Sequence, residues 1–87
     1  MDKEIVIKNK TGLHARPAAQ FVALAKKYPD KIMVYKGEKS ASATSLLSLL
    51  GLGITLGDTI HLQAAGDQAE QVLTEMAEFL EKLAYEE

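Results

Sequence analysis

The chain has 87 residues, 47% of them hydrophobic and 25% charged, which gives room for one hydrophobic core and the composition of an ordinary folded protein. A formal net charge of −2, with no cluster among the ten basic residues, argues against nucleic acid as the main partner, because phosphate-backbone binding needs a clustered basic face. The chain has no cysteine, which removes disulfides, thiolate nucleophiles and cysteine-ligated metals.

In chain order, Glu4 to Lys8 reads as a strand around Ile5, Val6 and Ile7. Its N-terminal flank lacks the basic start and long apolar core of a signal peptide. Asn9 to Gly12 reads as a turn. Ala18, Phe21, Val22 and Ala25 recur at three- and four-residue spacing, which predicts a helix from Ala15 to Lys27, with Lys26 and Lys27 in its last turn. Lys31 to Tyr35 is a second strand, Gly37 marks a turn, and Ser40 to Ala43 is the expected hairpin partner. Leu46 to Leu50 fits a short helix with Ser45 at its N-cap, stopped by Gly51. Thr59 to Ala64 alternates, with Ile60, Leu62 and Ala64 facing in and Thr59, His61 and Gln63 facing out. From Ala69 to Leu83, Val72, Met76, Phe79, Leu80 and Leu83 form one apolar stripe, opposite a polar side that includes Glu70, Glu75 and Glu78.

The predicted order is β-α-β-β-α-β-α. Two long amphipathic helices need an apolar surface, and a sheet with one apolar face is the economical partner. The expected fold is α+β: an open-faced β-sandwich, a four-stranded antiparallel sheet with its helices on one face. One domain spanning residues 1–87 is expected. The most apolar stretch, Leu46 to Ile54, is too short to span a bilayer. The chain therefore reads as a soluble, cytoplasmic monomer.

His14 is placed where chemistry is easiest to build. It directly precedes the first helix, where the first N–H groups lack intrahelical acceptors and the peptide dipoles leave partial positive charge. Helix starts of this kind attract phosphate. Pro17 suits a first turn because its missing N–H would have gone unbonded. Ala15 and Arg16 supply N–H groups, and the Arg16 guanidinium can fork onto phosphate oxygens. An unprotonated imidazole nitrogen is a nucleophile, and the phosphoryl group it would acquire is an anion that the same positive field stabilises. The plainer alternative is a capping or surface histidine, as His61 is on its alternating strand. Two histidines far apart, with no cysteine, give no metal site, and no cofactor-binding pattern is present.

The segment "TGLHARPAAQ", Thr11 to Gln20, resembles the active-site signature of HPr, the histidine-containing phosphocarrier of the bacterial phosphoenolpyruvate-dependent sugar phosphotransferase system. "GEKSASATSLLSLLGLGI" looks like the family's second signature, and "GDTIHLQAAGDQAEQVLTEMAEFLEKL" like its final strand and helix, so the resemblance covers essentially the whole chain. It implies that His14 is phosphorylated on Nδ1 by enzyme I, that Arg16 assists the phosphoryl group, and that the group passes to a IIA protein or domain. It also implies a docking surface of Leu13, Arg16, Ala19, Gln20, Leu47, Leu50 and Gly51. Ser45 has two readings, a plain helix N-cap or a regulatory phosphoserine made by an HPr kinase/phosphorylase. The family often has lysine where this chain has Ala23 and Ser48, which implies weaker electrostatic steering to acidic partners. Two alternatives share the fold: a paralogue serving a regulatory or nitrogen-related branch, and a binding module that carries no phosphate.

Overall fold

The structure, a computed structural model, describes residues 1–86. The elements follow the order β1 (Asp2–Val6), α1 (Ala15–Ala25), β2 (Lys31–Lys36), β3 (Lys39–Ser42), α2 (Leu46–Leu50), β4 (Thr59–Ala65) and α3 (Ala69–Glu86). The four strands form one sheet in the order β1-β4-β2-β3, with every neighbouring pair antiparallel. This is the expected open-faced arrangement.

Alternation along the strands explains why only one face is covered. In β4, Ile60, Leu62 and Ala64 are buried while Thr59, His61, Gln63 and Ala65 are exposed. In β2, Ile32 and Val34 are buried. α1 buries Pro17, Ala18, Phe21, Val22 and Ala25, and α3 buries Val72, Leu73, Met76, Ala77 and Leu80. The polar face is tied by cross-strand pairs: His61 Nε2 lies 2.9 Å from Glu4 Oε2, and Tyr35 Oη donates to Gln63 Oε1 at 3.1 Å.

Most departures from the sequence reading are at element ends. β1 begins and ends two residues earlier than expected, although Ile7 N–H still donates to Asp58 O at 2.8 Å. α1 stops at Ala25, so Lys26 is its C-cap and Lys27 lies outside. The last bonds tighten to three-residue spacing, Lys27 N to Leu24 O and Tyr28 N to Ala25 O, both 3.2 Å, which ends the α-helix in a tighter turn ahead of Pro29. Glu75, assigned to the solvent side by periodicity, is half-buried and accepts a hydrogen bond from Tyr28 Oη. Asp30, read only as a helix terminator, is buried and accepts the Gln68 N–H at 3.1 Å, just before α3. It thereby serves α3 as an N-terminal acceptor supplied from 38 residues away.

Phe21 is the largest fully buried side chain, and its ring meets Phe79 at a centroid distance of 6.0 Å with planes tilted by 50°. It joins both long helices over the sheet. Phe21→Ala is expected to cost about 3–5 kcal/mol of stability, the range for emptying a well-packed aromatic site, read from the midpoint of denaturant unfolding.

Candidate phosphoryl site

The turn carrying His14 is held from below by the loop between α2 and β4. Asn9 closes the turn on itself: its O accepts Gly12 N–H at 3.0 Å, and its side-chain amide donates to Gly12 O. Leu13 N–H then donates to Ile54 O at 3.1 Å. Gly12 has φ +64°, and a Cβ there would lie 2.8 Å from Thr55 Cα. Only glycine lets the two backbones come this close at that dihedral. The next two residues carry the chain into α1, with His14 at the N-cap.

The supporting loop is itself clamped. Lys36 Nζ donates to Gly53 O at 2.7 Å and lies 2.9 Å from Asp58 Oδ2. That same oxygen accepts Thr55 N–H at 2.8 Å and Thr55 Oγ1–H at 3.1 Å. Hydrogen bonding to Lys36 and to the Thr55 backbone holds the Asp58 carboxyl below its usual range.

His14 is extended, with φ −82° and ψ −176°, and its side chain makes no capping hydrogen bond. Its carbonyl accepts Ala18 N–H at 2.9 Å, the first bond of the helix. Among the described residues, the N–H groups of Ala15 and Arg16 meet no acceptor. No acidic residue occupies this first turn. The imidazole is exposed, and it lines a shallow pocket with Arg16, Pro17, Gln20, Leu83 and Glu86. An accessible ring nitrogen, unoccupied N–H donors and a guanidinium thus share one small surface. That set can accept a phosphoryl group and hold its oxygens.

The profile described as "PTS HPr component phosphorylation site" matches residues 1–82. The chain belongs to the HPr family. It is 42% identical over 82 residues to the phosphocarrier protein HPr of Haemophilus influenzae, covering 94% of each chain. It is also 41% identical over 73 residues to the phosphocarrier protein NPr of Shewanella violacea, covering 84% of this chain and 80% of that one. HPr of Thermoanaerobacter tengcongensis superimposes with a TM-score of 0.93 at 40% identity, covering 100% of this chain and 98% of that one. An HPr dimer from the same organism has a TM-score of 0.75 at 42% identity, covering 90% of each.

The residues expected to form an HPr docking surface are not all on the surface. Arg16, Ala19, Gln20, Leu47 and Gly51 are exposed, and Leu50 is half-buried. Leu13 is instead a core residue, 6% exposed, because the bond from its N–H to Ile54 turns the chain inward there. The four leucines of α2 divide as a short helix demands: Leu49 is buried and Leu47 is 84% exposed. Ser45 is the α2 N-cap, its Oγ accepting Ser48 N–H at 3.4 Å and donating to Ser48 Oγ at 3.0 Å. The sequence reading placed Leu83 only in the apolar stripe of α3 and gave Glu86 no role, so neither was expected at this site. Only the packing of α3 brings them to His14, and no motif announces it.

The Asp58 clamp gives a pH dependence of known sign. A carboxyl held below its unfolded value stabilises the fold above that value, near pH 4, and the contribution is lost as pH falls through the native value. Asp58→Asn is therefore expected to lower the unfolding midpoint at neutral pH. The gap between variant and parent should close on acidification below about pH 4, followed by thermal unfolding across pH.

Proposed function

We propose that this HPr-family phosphocarrier accepts its phosphoryl group on His14 from enzyme I and passes it to a IIA component of the phosphotransferase system. The observation that carries this reading is the exposed, uncapped His14 beside Arg16 at the first turn of α1. The lone pair of the unprotonated ring nitrogen attacks phosphorus. An N–P bond forms as the bond to the donor breaks, and the donor leaves with its electron pair. The other ring nitrogen keeps its proton. The reverse sequence delivers the group to the acceptor, so the carrier ends unchanged.

The backbone N–H groups and Arg16 act on the oxygens of the moving group, where negative charge lies throughout in-line transfer. The dipole at the helix start contributes roughly 0.3–1 kcal/mol at an exposed site. A contribution of that size helps the group to reside without trapping it, which suits a carrier that must both accept and donate. Ring nitrogen Nδ1 is the proposed acceptor atom, as the family resemblance implies. The relay is proposed to work in the cytoplasm with one chain per transfer, since His14, Arg16 and the exposed leucines come from a single copy. The similarity to NPr favours a second reading, in which the same chemistry serves IIA proteins of a nitrogen-related branch.

Incubation with enzyme I and phosphoenolpyruvate is expected to add one acid-labile phosphate per chain, on a species that sediments as a single copy. His14→Ala should abolish the label and His61→Ala should retain it. A labelled His14→Ala protein would sink the assignment. A panel of sugar-type and nitrogen-type IIA acceptors then separates the two branches.

Arg16→Ala should accept and donate roughly 10–100-fold more slowly, the cost of about 1.5–3 kcal/mol for a charge-assisted hydrogen bond. Arg16→Lys should recover only part of the rate, because an ammonium cannot fork onto two oxygens.

A further inference from the structure

β1 ends the strand order and pairs with β4 alone, so one of its sides is open. Ile7 N–H donates to Asp58 O, Ile7 O accepts Gly57 N–H, and Met1 O accepts Ala64 N–H. The odd-numbered residues thus turn their backbone groups toward β4. Asp2, Glu4 and Val6, and Lys8 just past the strand, aim theirs at the open edge. Beside that edge a groove of about 220 Å³ runs between β1 and α3, with Ile5, Ile7, Ala77 and Leu80 in its wall. A row of free N–H and C=O groups along an apolar groove is a template for another strand.

The order of charge along the edge selects the strand that fits. Asp2, Glu4, Val6 and Lys8 are all exposed, acidic at one end and basic at the other. Among the described residues, neither Asp2 nor Lys8 is in a salt bridge. The groove itself is lined by Lys3, Lys8, Glu4 and Glu81, two of each sign, and so offers no net charge to a uniformly acidic or basic partner. An antiparallel copy of the same segment reverses the order. With Ile5 on the twofold axis, Asp2 lies opposite Lys8 of the other copy and Glu4 lies opposite Val6, each pairing made twice. Registers that pair even with odd residues are excluded, because β4 already holds the odd backbone groups. An axis through Glu4 sets two glutamates face to face, and one through Lys3 sets Asp2 against Glu4, both repulsive. An axis through Val6 shortens the overlap by running into the turn that begins at Asn9.

We propose that the open edge of β1 is a self-recognition surface, on which a second copy of this chain adds its own β1 antiparallel, with Ile5 at the twofold axis and Asp2 paired to Lys8 at each end. The contact is weak and reversible. One strand edge with its flanking groove covers less than the roughly 1,200 Å² of a stable complex. Lys3 lies on the groove side with Ile5 and Ile7, and its ammonium must stay in water, which limits affinity further. The copies are therefore separate at micromolar concentration and pair toward about 1 mM. No residue that lines the His14 pocket lines this groove, so each copy keeps its own site open. The inference stands independently of whether His14 carries phosphate.

The test is sedimentation velocity on the full chain from about 10 µM to about 1 mM. The parent is expected to shift from single copies toward pairs, and the pairs to separate within minutes of dilution. Amide resonances of Asp2, Glu4, Val6 and Lys8 should move with concentration, while that of Leu47 stays in place. Val6→Pro removes an N–H that faces the open edge and leaves the β4 ladder intact, so it should abolish pairing. Asp2→Lys alone and Lys8→Asp alone should each lose self-association, because each sets like charges opposite one another. An equimolar mixture of those two variants should regain it. A parent that is still single at about 1 mM overturns the proposal, as does a mixture that fails to pair. Pairs that persist for hours after dilution also overturn it, because they mean exchange of β1 between copies. Pairs that survive Val6→Pro and are lost on Leu47→Lys overturn it by placing the contact on the helices.

Discussion

The burial of two helical stripes on one face of a four-stranded sheet is the constraint from which the other features follow. Phe21 and Met76, both fully buried, fix α1 and α3 over Ile32, Val34, Ile60 and Leu62. Once α1 is laid down by that packing, its N-terminus must project at the sheet's end, and His14 is the residue that enters it. The site needs no cavity of its own. It is the exposed start of an element whose other end and inner face are immobilised by hydrophobic contact.

Fine positioning is a separate matter and is polar. The Gly12 backbone lies against Ile54 and Thr55, and Lys36 with Asp58 ties that loop to β2. Two hydrophobic helices could slide by fractions of a turn without much loss of buried area, whereas a backbone contact at a glycine tolerates no such slip. The division of labour is plain in the residues: aliphatic and aromatic side chains place the helix, and a loop of hydrogen bonds places the histidine on it.

Much of this was legible in the sequence because it is periodic. The alternation from Thr59 to Ala64 and the stripes of both long helices led to the correct faces, and the Leu46–Leu50 helix with its Ser45 cap was found with its observed limits. The placing of His14 and Arg16 at the start of α1 was legible because a helix start has a local signature. What escaped was long-range. Asp30 serving α3, Tyr28 meeting Glu75, and Leu83 and Glu86 arriving beside His14 join residues far apart in sequence, and no local pattern encodes such pairs. The misplacement of Leu13 has the same origin. A leucine next to an exposed N-cap histidine looks like surface until Ile54 is known to accept its N–H.

The missing side-chain cap on α1 has a thermodynamic consequence. Serine, threonine, aspartate or asparagine at that position would strengthen the helix by about 1 kcal/mol relative to an uncapped residue, and the sequence places histidine there, which makes no such bond. The protein forgoes stability at the one helix end where a built-in acceptor would compete with an incoming anion. Under the proposed carrier role, loading and unloading of His14 require no capping side chain to swing aside. The uncapped helix start is thus a place where the fold is below its stability optimum, which is what the proposed transient bond at His14 would call for.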